Sequence, residues 1–95
     1  MTREEHLLVI LGEECSEVAK ETAKALRFGL DDKEPGQDKT NRQKIATEFN
    51  DLFAVVRILI DDGILNDKEV IVVEQMEAKM QKVEKYLKYS KSVGK

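Results

Sequence analysis

Three segments of this chain repeat their apolar residues every three or four positions, and each opens on a side chain able to cap a helix. Thr2 stands three residues before Glu5, the spacing of a capping box, and Leu7, Leu8, Leu11, Cys15, Val18, Ala19, Thr22 and Leu26 follow in helical register. The pattern predicts a first helix from about Thr2 to Phe28, stopped by Gly29, with Gly12 as a point where it can bend or divide. Thr40 or Asn41 caps a second helix through about Asp61, on which Ile45, Phe49, Leu52, Phe53, Val56, Leu59 and Ile60 keep the period, and Gly63 ends it. Asn66 with Glu69 opens a third, where Val73, Met76, Met80, Val83 and Leu87 step by three and four alternately as a heptad seam. Residues 30–40 hold the only proline, beside a glycine, and carry no apolar period. They form a loop longer than a plain helix connection needs, and such length is often functional. The expected fold class is all-α, with three main antiparallel helices.

A chain of 95 residues has material for one domain, spanning 1–95 with a polar tail that frays from about Ser90. So small a core leaves little net stability, and such scaffolds are commonly stapled by disulfides, a metal or a second copy of themselves. The single Cys15 removes intrachain disulfides, and with the single His6 it excludes a zinc site of thiolates and imidazoles. A hard cation and oligomerisation remain. Val70, Ile71, Val72 and Val73 are apolar all round the helix, more than one packing partner covers, which suggests burial against a second chain. The net charge of −3 gives no positive field for nucleic acid. No stretch approaches the ~20 apolar residues of a membrane span, and Met1-Thr2-Arg3-Glu4-Glu5 lacks a signal-peptide layout, so a cytoplasmic location without a membrane partner is expected.

The charged residues are less evenly spread than their number suggests. At about 100° per residue, Glu14 falls about 80° to one side of the first apolar seam and Glu17 about 140° to the same side, with Glu21 in the same stripe. Glu48 and Asp51 take the same two offsets, in the same sense, on the second helix. Antiparallel helices are related by a local dyad, which brings equal offsets of one sense to one side of the pair. Glu14 and Glu17 are therefore expected to face Glu48 and Asp51. Four crowded carboxylates repel, and burying them without a counter-charge costs several kcal/mol or forces protons onto them. Lysines are one remedy. Oxygen-only ligands spaced i and i+3 on two helices suit Mg²⁺, with Mn²⁺ as a substitute, and carboxylate-bound Mg²⁺ completes its shell with waters and substrate phosphates. A di-iron carboxylate site would need Glu-x-x-His elements that a chain with one histidine lacks.

The run Glu13-Glu14-Cys15-Ser16-Glu17, followed by Glu48-Phe49-Asn50-Asp51, resembles the EExxE … ExxD signature of the MazG-like all-α nucleoside triphosphate pyrophosphohydrolases. Lys24-Ala25-Leu26-Arg27-Phe28-Gly29-Leu30, Pro35-Gly36-Gln37, Thr40-Asn41-Arg42 and Asn50-Asp51-Leu52 resemble a compact, single-domain, often phage-associated branch of that superfamily. The likeness covers roughly residues 5–65, with a longer gap between the acidic motifs than shorter members have. It implies a four-helix bundle completed by oligomerisation, and hydrolysis of a (deoxy)nucleoside triphosphate to the monophosphate and pyrophosphate. Glu14, Glu17, Glu48 and Asp51 would hold Mg²⁺ and form the catalytic set. Divalent cations offset the charge of a polyphosphate and polarise its phosphoryl oxygens, and one of these carboxylates, or Glu21, would orient the attacking water.

Lys20, Lys24 and Arg27 lie near the end of the first helix, as phosphate ligands or as plain complements to its dipole. Arg27 adjoins Phe28, a ring that stacks on a base or covers the core. Asn50 points away from its acidic neighbours, toward a base or sugar or toward an adjacent helix. Asn41 reads as a helix cap, His6 as a surface residue, Cys15 as a small core residue, and Met76 and Met80 as core. Glu13, opposite the seam, faces solvent or supports the site from outside. Two other functions fit these residues: a non-enzymatic helical interaction module with a structural divalent site, or hydrolysis of phosphoribosyl-ATP.

Overall fold

The computed structural model describes residues 1–92 and Gly94, and among them it is all-helical, with one isolated bridge, Lys33 to Thr40, and no strand. The chain divides into two compact units, Met1–Ile64 and Leu65–Lys95. No helix among the described residues is long and apolar enough to cross a membrane.

The first unit is a helical hairpin of α1 (Arg3–Phe28) and α2 (Asn41–Asp61). Both helices begin with a reciprocal capping box. Thr2 Oγ1 accepts from Glu5 N at 3.1 Å while Glu5 Oε1 accepts from Thr2 N at 2.9 Å, and Thr40 pairs with Gln43 in the same way at 3.2 and 2.8 Å. The cap of α2 is thus Thr40, and Asn41 is its first helical residue. Gly12 sits inside one uninterrupted helix, so the division it permits does not occur. α1 stops at Gly29, whose φ of 99° lies where side chains are strained and whose N–H returns to Ala25 O at 2.9 Å. α2 stops in a Schellman turn. Gly63, at φ 76°, donates to Ile60 O and Ile64 donates to Leu59 O, both at 2.9 Å. The Arg3–Asp62 pair at 2.7 Å ties the start of α1 to the end of α2, and Asn41 Nδ2 on Gly29 O at 2.9 Å ties the opposite ends, which fixes the pair as antiparallel.

The contact face differs from the apolar seam of the sequence. Leu7, Leu11, Glu14, Val18, Glu21 and Ala25 on α1, and Asn41, Ile45, Glu48, Leu52, Val55 and Leu59 on α2, are the buried and half-buried stripes. Each is turned by about 60° from the seam toward the acidic side. Of the rest of the seam, Leu8, Cys15, Ala19, Thr22 and Leu26 on α1 with Phe49 and Phe53 on α2 are exposed, and Val56 and Ile60 are half-buried. The exposed residues lie about 90° from the contact stripe in the same sense on both helices, so they share one face of the hairpin, away from the acids. Cys15 is exposed and not a core residue.

In the second unit Asn66 caps α3 (Asp67–Val70), its Oδ1 accepting from Lys68 N at 2.9 Å rather than entering a box with Glu69. The single third helix expected here is broken. Ile71 is extended at φ −120° and ψ 96°, and α4 (Val73–Ser92) begins after Val72. Four β-branched residues in a row explain the break, because each restricts its χ1 against the preceding helical turn while fitting extended backbone well. The seam of α4, Val73, Met76, Met80, Val83 and Leu87, is exposed throughout. Helix continues to Ser92, past the expected fraying point at Ser90, and Val93 and Lys95 of the expected tail lie outside the described residues.

Candidate metal centre between α1 and α2

Because the contact stripe is turned toward the acids, carboxylates stand inside the helix pair and not only along its edge. Glu14, Glu17 and Glu48 are half-buried, Asp51 is exposed, and Glu21 is only 6 % exposed. Two groups of oxygens converge. One from each of Glu14, Glu48 and Asp51 lies within 4.8 Å of the others, and so does one from each of Glu17, Glu21 and Glu48. Glu48 belongs to both groups.

The electrostatics follow from this crowding. Burial pushes the Glu48 carboxyl above the ordinary glutamate value, and the charges of Asp51, Glu17, Glu14 and Glu21 push it further. Glu21 Oε1 has a cation 3.7 Å away, Lys24 Nζ, but its Oε2 is buried without a hydrogen-bond partner. A buried carboxylate oxygen left unpaired carries a desolvation cost that a positive group beside it relieves. An all-oxygen donor set from two helices, with one lone pair unclaimed in its interior, is what a hard divalent cation requires. Each of the two groups could hold a metal ion.

Of the residues expected in the acidic set, the structure brings Glu14, Glu17, Glu48 and Asp51 together and adds Glu21 as the most buried. The signal for Glu21 was present in the sequence, one helical turn beyond Glu17 and two beyond Glu14. Glu13 faces solvent. Lys20 pairs with Glu17 at 3.9 Å, while Lys24 spans Glu21 and Glu34, 3.7 Å from each. Arg27 stands apart from the acids, its guanidinium carbon 5.8 Å from the centroid of the Phe28 ring. Phe28 is 57 % exposed and so does not cover the core. Asn50 bonds back to Ala46 O at 3.0 Å within its own helix. His6 is exposed, and so are Met76 and Met80, expected as core.

No protein-family model matches this chain, and none of the curated proteins or solved structures compared with it does.

Proposed function

We propose that the chain is a divalent-cation-dependent nucleoside triphosphate pyrophosphohydrolase that works as a homodimer or homotetramer, with Mg²⁺ its natural cation. The observation that carries this reading is the pair of carboxylate groups sharing Glu48, with the unclaimed Glu21 oxygen between the helices. Bound there, the cation would offset the charge of the polyphosphate, polarise a phosphoryl oxygen and acidify a water. Glu14, Glu17, Glu21, Glu48 and Asp51 would hold it. Lys24, flanked by Glu21 and Glu34, is placed to take a phosphate oxygen beside the acids. In the overall reaction, water adds across the bond between the first and second phosphates, leaving the monophosphate and pyrophosphate. A carboxylate that the cation does not occupy accepts the proton.

Oligomerisation is supported by how little each chain covers for itself. Among the described residues the buried apolar ones are Leu7, Ala25, Val55 and Leu59, and only Leu59 is fully enclosed. A core this small gives marginal stability, and a four-helix bundle made from two hairpins would cover the exposed Phe49, Phe53 and Leu26.

The test is pyrophosphate release from each common nucleoside and deoxynucleoside triphosphate, with Mg²⁺ and with EDTA in parallel. Mg²⁺-dependent release with monophosphate as co-product is the expected result. Absence of release from all of them, and from phosphoribosyl-ATP, would overturn the hydrolase. The bare seam of α4 favours a second reading, an interaction module in which the acids hold only a structural ion. Such a module would associate equally well in chelator and turn over no nucleotide.

A further inference from the structure

Next to the acidic groups the hairpin encloses a cavity of about 240 Å³, lined by Lys24 and Phe28 of α1, Asp32, Glu34 and Pro35 of the connecting loop, and Asn41. Its position is set by backbone bonds. Asn41 N donates to Asp32 O at 2.9 Å, Arg42 N to Leu30 O at 2.8 Å, and the Asn41 amide, 3 % exposed, donates to Gly29 O. Lys24 connects the cavity to the acids, with Glu21 Oε1 on one side and Glu34 Oε2 on the other, 3.7 Å from each.

The lining has a definite chemical character. Phe28 and Pro35 supply flat apolar surface suited to stacking a ring. Apart from Lys24 and the one Asn41 N–H not used on Gly29, the polar groups of the lining are acceptors, the carboxylate oxygens of Asp32 and Glu34 and the amide oxygen of Asn41. Lys44 at 3.0 Å and Lys24 claim Glu34 and hold its carboxyl below the usual range, whereas among the described residues no ion pair engages Asp32. A ligand fitting these walls is a flat ring with N–H donors on its edge, joined to phosphate at the Lys24 end. Cytosine and adenine carry an exocyclic amino group that donates twice, where guanine has a carbonyl oxygen. Uracil and thymine present a carbonyl oxygen at the corresponding place, which meets a carboxylate lone pair to lone pair.

We propose that this cavity is the base pocket of the nucleotide site and selects cytosine or adenine by the exocyclic amino group, with Asp32 as the acceptor that reads it. The assignment rests on the nucleotide reading of the acidic centre and gives that site its substrate class. A volume below the several hundred Å³ of a drug-sized site admits one base and leaves the sugar and phosphates outside, toward Lys24.

The experiment uses nucleosides, which carry no phosphate and need no metal. The full chain in EDTA is titrated with millimolar deoxycytidine, deoxyadenosine and thymidine while its backbone amides are followed by NMR. Deoxycytidine and deoxyadenosine are expected to shift amides between Gly29 and Asn41, and thymidine to leave them in place. Asp32→Asn, which offers a donor to a carbonyl, is expected to reduce the preference about tenfold or more, the worth of a hydrogen bond to a charged group. Equal shifts with all three nucleosides, shifts elsewhere, no shifts, or a preference unchanged by Asp32→Asn would overturn the pocket. The two proposals fail separately. Pyrophosphate release indifferent to Asp32→Asn removes the pocket and leaves the hydrolase, while selective nucleoside binding without pyrophosphate release from any triphosphate removes the hydrolase and leaves the pocket.

Discussion

Along α1, two of the six positions turned toward α2 are carboxylates, whereas along α4 every seam position is apolar and every one is exposed. The hairpin has placed charge where burial is scarce, and the second unit has left apolar surface where water is plentiful. The two deficits call for different remedies. A crowded set of oxygens is relieved by a small hard cation, and an uncovered heptad seam by another protein surface. On the proposed reading, the chain gains a chemical centre by giving up core, and a cation or a second copy would make up the stability.

The sharpest way to break that contrast is Glu48→Gln, because Glu48 is common to both oxygen groups. Cation-dependent pyrophosphate release should fall by about three orders of magnitude or more, with helicity by circular dichroism unchanged. Retained turnover would remove Glu48 from the centre. Val73→Asp tests the other side. Placing a charge in the exposed seam should reduce the assembly to single chains in sedimentation, and an unchanged mass would show that the oligomer uses a different face, such as that of Phe49 and Phe53.

Glu21→Leu separates the two deficits within one residue. Replacing a carboxylate with an unpaired oxygen by an apolar side chain should stabilise the cation-free protein by about 1–3 kcal/mol while weakening Mg²⁺ binding. Loss of stability in EDTA would mean that Lys24 alone satisfies Glu21. The smallest effect is expected at an ordinary ion pair of the same hairpin. The hydrogen bond from Arg3 holds the Asp62 carboxyl below its usual 3.8, so its contribution is present above that value and is lost as pH falls through the lowered one. The difference in melting temperature between wild type and Asp62→Asn should therefore be seen at neutral pH and vanish in acid, with no effect of Mg²⁺ on it. A difference that depends on Mg²⁺ would mean that the acidic centre reaches further along the hairpin than its geometry indicates.

Helix boundaries were readable from single residues, since Thr2 with Glu5 and Thr40 with Gln43 act through bonds made within one turn. The pairing of Glu14 and Glu17 with Glu48 and Asp51 followed from helical spacing alone. What spacing did not give was the depth of the acids. Leu8, Cys15, Leu26, Phe49 and Phe53 drew the average apolar direction toward a face that one chain leaves bare, and averaging two faces placed Glu14 and Glu48 at an edge when they stand between the helices. Glu21 was left open for the same reason. The break at Ile71 does not show in the hydrophobicity of Val70 to Val73, which favours burial in any conformation, but in their side-chain branching, which disfavours a helix. Arg27 lies over the Phe28 ring, as their adjacency in the sequence suggests.

The bonds from Asn41 to Gly29 and Asp32, with that from Arg42 to Leu30, close the connecting loop at its base. The tip from Lys33 to Lys39 can therefore gain or lose residues at a cost that grows only with the logarithm of its length, without moving α1 against α2. Glu34 and Pro35 belong to that tip, and Glu14, Glu21 and Glu48 do not. Natural variation or loop grafting can thus exchange the cavity wall made by Glu34 and Pro35 while the carboxylates keep their register and Asp32, at the closed base, keeps its place.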